Sequence, residues 1–245
     1  MEELKSSTRM MVLCAVIMLV ILLTGPLGYR FGFVPLMPSL ASLMVALIGS
    51  ALVLLVAVIF VIIAARNGLP KNRNMLLLAM GLSLVPMIVM GPQIMKARSV
   101  PAIHDITTDT GNPPEFRAIV KRRVHASNDL AYGSEELPAE ELAALQLKAY
   151  PNVKPLDTEL PVAEAVARSE SVLESQGLKI VSTELEAGLV EATATTFWFG
   201  FKDDVVVRVV ATPTGSRIDI RSVSRVGQSD IGANAARIEE FLANF

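Results

Sequence analysis

His104, Asp105 and Asp109 form the one histidine–carboxylate cluster in this 245-residue sequence whose residue types suit a metal or an acid–base pair. One imidazole with two carboxylates is a donor set that a divalent transition cation accepts. All three fall in one irregular stretch, so spacing alone leaves their distances open. His125 is the only other histidine. The competing expectation is structural: His104 and Asp105 satisfy backbone groups where this stretch docks on a folded domain. The sequence has no G-x-S-x-G elbow, no G-x-G-x-x-G fingerprint and no Walker loop. Its single cysteine, Cys14, permits neither an intrachain disulfide nor a cysteine zinc site.

Arginines supply the second candidate. Pro213-Thr214-Gly215-Ser216 reads as a hairpin connection with Thr214-Gly215 at its tip. That register sets Val209 opposite Ile220, Val207 opposite Ser222 and Arg208 opposite Arg221. Side chains alternate along a strand, so one face is apolar (Val205, Val207, Val209, Ile218, Ile220). The other carries Asp204, Arg208, Arg217, Asp219, Arg221 and Arg225. Two arginines side by side repel unless an anion lies between them. Glu191, Asp204 and Asp219 can supply it from within. So can a bound carboxylate or phosphate, which the guanidinium fork fits. Arg208, Arg221 and Arg225 are accordingly candidate ligand residues.

A third candidate is aromatic. Phe197, Trp198, Phe199 and Phe201 fall within five residues, followed by Lys202. Alternation does not hide all four rings on one side. Either the phenylalanines close one end of the core, or Trp198 and Phe199 touch lipid or a partner while Lys202 meets a lipid phosphate.

These residues need a frame. Strands are expected over 179–185, 189–196, 204–212 and 217–226. A helix over 161–176 starts with Pro161 and stops at Gly177, and a second over 231–243 follows Ser229-Asp230. Both helices must cover the apolar sheet face. A short helix is expected over 138–149.

The chain is two different polymers. Residues 1–95 hold six basic and two acidic residues; residues 96–245 hold sixteen and twenty-two, a net of −6. The acidic balance argues against a nucleic-acid partner. Apolar runs over about 10–27, 41–65 and 75–95 predict three transmembrane helices. The first is also compatible with a signal peptide, but residues 24–28 lack a small-x-small cleavage pattern. Lys5, Arg9, Arg66, Lys71 and Arg73 flank one side of the spans, and Arg30, Lys96 and Arg98 the other. The positive-inside rule then puts the N-terminus in the cytoplasm and the C-terminal domain outside it. The spans carry no charge, so no ion pathway is indicated.

Four stretches carry a family resemblance: residues 101–109 (PAIHDITTD), 149–151 (AYP), 191–205 (EATAT, then WFGFKDDV), and 221–238 (RSVSRVG, then SDIGANAARI). Together they resemble the bacterial family known as domain of unknown function 1499, over roughly residues 100–245. The resemblance implies an envelope protein of a Gram-negative-type bacterium, with several N-terminal membrane helices. It implies no activity, cofactor or catalytic residue.

The expectation is therefore a membrane-anchored α+β protein. Three transmembrane helices (1–95) lead through an extended tether and loop (96–136) to a two-layer domain (137–245). Its four-stranded antiparallel sheet and flanking helices run α-β-β-β-β-α. The expected function is binding of a lipid, small anion or envelope protein at the outer side of the cytoplasmic membrane, without catalysis or cofactor. The alternatives are an enzyme built on His104, Asp105 and Asp109, and a structural subunit of a membrane complex.

Overall fold

A computed structural model describes residues 2–245. The chain divides into two compact units: Met1–Met95 with Trp198–Gly200, and Lys96–Phe197 with Phe201–Phe245.

The first unit holds α1 (Ser6–Arg30), α2 (Leu36–Arg66) and, as far as Met95, α3 (Pro70–Ser99). Each is long and apolar enough to cross a membrane. Their inward positions are mostly small. The residues α2 buries are Ser39, Ala46, Ser50, Ala57 and Ala64. Small side chains let helix backbones approach closely where lipid, not water, is the surrounding solvent. One polar knot ties the helix starts: the buried Asn72 carbonyl accepts the Lys5 N–H (2.9 Å) and the Thr8 hydroxyl (2.8 Å).

The second unit is built on a six-stranded antiparallel sheet. Its strands are β1 (Asp105–Thr107), β2 (Leu156–Thr158), β3 (Lys179–Glu184), β4 (Leu189–Thr195), β5 (Lys202–Thr212) and β6 (Gly215–Ser224). The order is β1-β6-β5-β4-β3, and β2 pairs with β6 as well. The expected four strands are there as the meander β3 to β6. The sheet is larger because β1 and β2 share the outer edge of β6. Each has three residues, too short for alternation to show in the sequence. The outer side of β1 is closed by a side chain: the buried Gln146 amide accepts the Thr107 N–H (2.9 Å) and donates to its carbonyl (2.7 Å).

The hairpin register is corrected by two residues. Thr212 pairs with Gly215, so Pro213-Thr214 is the tip, and Val209 faces Ile218. Proline's fixed φ suits the first turn position. Gly215 takes φ +150°, and a Cβ there would collide with the Thr158 carbonyl of β2. A shift of two preserves both faces, because the side-chain period is two. It does change partners: Arg208 lies opposite Asp219, and Arg221 lies opposite Val206.

Helices α5 (Val162–Ser175) and α6 (Ala233–Asn244) cover the apolar face, as their periodicity required. Val166, Leu173, Ile238 and Phe241 meet Val205, Val207, Ile218 and Ile220 there, with Leu142 of α4 (Ala139–Ala149) beside them. The opposite face is covered too. Phe116 and Ile119 pack on Leu189, Val206 and Val223 in a smaller second core. Part of the stretch expected as a tether thus belongs to the fold: it supplies β1 and a 3-10 turn, Ile119–Arg122, lying across the charged face.

Candidate functional site

The charged face of the sheet is an ion-pair network beneath that cover. Asp204, fully buried near the start of β5, accepts the Arg123 guanidinium at 2.6 Å, Arg225 at 2.9 and 2.8 Å, and the Thr193 hydroxyl at 2.8 Å. Arg208 reaches Asp219 (2.9 Å) and Asp109 (3.0 Å). Arg221 is 3% exposed. It holds Asp105 through two hydrogen bonds of 2.9 and 2.6 Å and donates to the carbonyls of Pro114 and Leu130. Its guanidinium lies 5.6 Å from both the Phe116 and Tyr132 ring centres, within cation–π range. Internal carboxylates therefore account for the charge of Arg208, Arg221 and Arg225. The like-charge pair Arg208–Arg221 does not exist in the observed register.

Glu191 plays a different part. It is buried, and its carboxylate accepts the backbone N–H groups of Arg117 (2.6 Å), Ala118 (2.9 Å) and Ile119 (2.7 Å). Those are orphan donors at the start of the 3-10 turn, where a negative charge is favourable.

The three metal candidates are not brought together. Asp105 is spent on Arg221 and Asp109 on Arg208, while His104 Nδ1 lies 3.4 Å from the Gln228 carbonyl. Among the described residues no group of three or more His, Cys, Asp or Glu is placed to hold a metal ion. Two cavities do adjoin the network. One, of about 580 Å³, runs past Ile103, His104, Asp105, Asn128 and Gln228. The other, of about 460 Å³, is lined by Phe116, Arg123, Asn128 and Arg221.

Tyr132 stands beside this network. Its hydroxyl is buried and makes no hydrogen bond within the described residues. Burial, then the Asp105 carboxylate, push its ionisation far above the usual phenol range; Arg221 opposes them. A phenol with a raised folded pKa adds stability that is full below the unfolded value of about 10, fades as pH rises towards the folded one and is gone above it. Tyr132→Phe is therefore expected to keep or slightly raise stability at neutral pH, by at most about 1 kcal/mol. It should also lessen the loss of stability at strongly alkaline pH. Denaturant titration at neutral and strongly alkaline pH checks both.

Asn234 and Arg237, three apart on the last helix, read from the sequence as structural contacts rather than a site, and they organise a second polar knot on the other face. Arg237 donates to Asp203 (2.8 Å), Ser222 (2.8 Å) and the Asn234 carbonyl (2.6 Å). Asn234 in turn donates to Ser224 and to the His104 carbonyl, both at 3.0 Å. The Asp230 carboxylate caps the entry to α6 by accepting the Gly232 and Asn234 N–H groups (2.7 and 2.8 Å). Burial pushes its carboxyl above the ordinary range, against the pull of those two N–H groups. The knot locks β6, α6 and the His104 backbone together, with every named polar group partnered.

The resemblance seen in the sequence rested on the segments that build these two networks: β1, β4, β5, β6 and the start of α6. The model of the family described as "Protein of unknown function (DUF1499)" matches residues 105–245. The chain belongs to DUF1499. The match begins at Asp105, the partner of Arg221, and so takes in both ion-pair networks as well as the sheet. No curated protein and no solved structure matches the chain.

Away from the networks, the DUF1499 domain has one strongly exposed aromatic turn. The connection between β4 and β5 leaves Phe197 84% exposed, and Lys202 begins β5 exposed; Trp198, which groups with the helical unit, is 37% exposed. Phe199 is partly covered.

Proposed function

We propose that this DUF1499 protein is a bacterial envelope protein anchored in the cytoplasmic membrane. In this reading its C-terminal domain lies on the outer side and binds an anionic lipid or an envelope partner without catalysing a reaction. The observation that carries it is the β4–β5 turn. A phenylalanine ring more than four-fifths exposed, with an exposed lysine opening the next strand, is costly in water and suited to a membrane interface or a partner's pocket. Three helices long enough to span a bilayer and the five basic residues flanking one side support the anchoring and the orientation.

Native mass spectrometry of the full-length protein, extracted gently from its own membrane, tests this. A retained anionic lipid or a co-eluting envelope protein is the expected result, reduced in Phe197→Ser. A bare monomer in several mild detergents would count against the binding reading.

A further inference from the structure

We propose that one end of the sheet domain is a docking surface for anionic phospholipid headgroups, made by Val120, Lys121, Arg122 and Val124 together with Phe197 and Lys202. The proposal deepens the binding reading above and rests on it.

The 3-10 segment is pinned from beneath at two points. Ile119 is buried in the smaller core, and Arg123 is buried on Asp204. Glu191 fixes the approach by holding three consecutive N–H groups. The residues between and after the pins must then face outward. Val120 is 51% and Val124 79% exposed, with Lys121 and Arg122 exposed between them. Here the apolar side chains point out while one arginine points in.

Lys202, which opens β5, belongs to the same end. Arg225, at the end of β6, donates its backbone N–H to the Lys202 carbonyl (2.9 Å) and its guanidinium to the Arg122 carbonyl (2.9 Å). Lys202 and Arg122 thus flank one residue. Within the described residues, Lys121, Arg122 and Lys202 form no ion pair, whereas the buried arginines all do.

Charge then selects the partner. The region 96–245 is net −6, yet 117–125 carries four Lys or Arg and no acid. Cations concentrated on one end of an acidic domain, interleaved with exposed valine and phenylalanine, match a layer of phosphates above an apolar interior. The same chain carries three helices long and apolar enough to span a bilayer.

The test uses the full chain in nanodiscs of phosphatidylcholine alone or with phosphatidylglycerol, and reads lysine acetylation by mass spectrometry. Lys121 and Lys202 are expected to react at least about threefold more slowly in the anionic discs, and salt should reverse the protection. Lys148 and Lys179, exposed on other elements, should not change. The double variant Arg122→Glu/Val124→Asp alters only exposed side chains, and should release Lys202 while the melting behaviour stays put. Equal rates in both discs would overturn the proposal. So would protection that ignores salt and the double variant, or protection seen only with a co-purified protein. If native mass spectrometry still finds a bound lipid or partner after such a result, the binding reading survives and this surface is wrong.

Discussion

Asp204→Leu is expected to remove most of the stability of the sheet domain. The carboxylate is fully buried and is shared by two guanidiniums and a hydroxyl. Leucine keeps the branching at Cγ but leaves Arg123, with a side chain 5% exposed, as an unpaired charge under the cover. Breaking a buried pair from one side costs about 3–5 kcal/mol. Arg225 loses its partner as well, so the upper end applies. A domain stable by about 5–15 kcal/mol is then marginal or unfolded. The comparison is Arg117→Ala, which breaks the exposed Arg117–Glu184 pair (59% and 40% side-chain exposure). That change should cost less than about 1 kcal/mol. Because the chain has two units, a single melting curve is a poor readout. Pulse proteolysis in urea, followed on fragments from residues 96–245, reports the domain alone. If the two variants unfold at the same urea concentration, Asp204 is not holding the sheet to its cover.

The extent to which this was legible follows from the kind of signal each element leaves. The three long helices advertise themselves by continuous apolar runs, and the meander of four strands and the helices α5 and α6 by apolar period. Both sheet faces were legible for the same reason, and they survived a hairpin register wrong by two. The partners across the strands did not survive. They depended on which dipeptide tips the turn, and Pro213 won over Thr214-Gly215 because Gly215 is needed where β2 crosses. The cover over the charged face left almost no signal. Its contacts are made by Arg123, Glu191 and the backbone carbonyls of Pro114 and Leu130, none of which has a period. In Lys121-Arg122-Arg123 nothing local says that only the third is buried. The carboxylates named as internal anions were the informative clue: Asp204 and Asp219 do pair with arginines, and Glu191 serves backbone instead.

That network also decides how the arginine face can be probed. Arg221→Met is expected to destabilise the domain by about 3–5 kcal/mol, because Asp105, with a side chain 5% exposed, is left without its bidentate partner. Any ligand binding lost in that variant would report the loss of the fold. Adding Asp105→Leu removes the stranded charge. Paired buried ions replaced together by apolar side chains are often neutral, so the double variant should recover more than half of the loss. The recovery will be incomplete, since the Pro114 and Leu130 carbonyls also lose their donor. The introduced methionine side chain would still lie between the rings of Phe116 and Tyr132, a setting that tolerates a thioether. Urea midpoints for the wild type, both single variants and the double variant give the coupling energy directly. A double variant that loses much less than the sum of the two single losses means that Arg221 and Asp105 chiefly satisfy each other. Binding assays can then be run in the double variant, where the fold persists and the charge is gone. Additive losses would mean that each residue is held by something else, and would return Arg221 to the ligand-binding candidates.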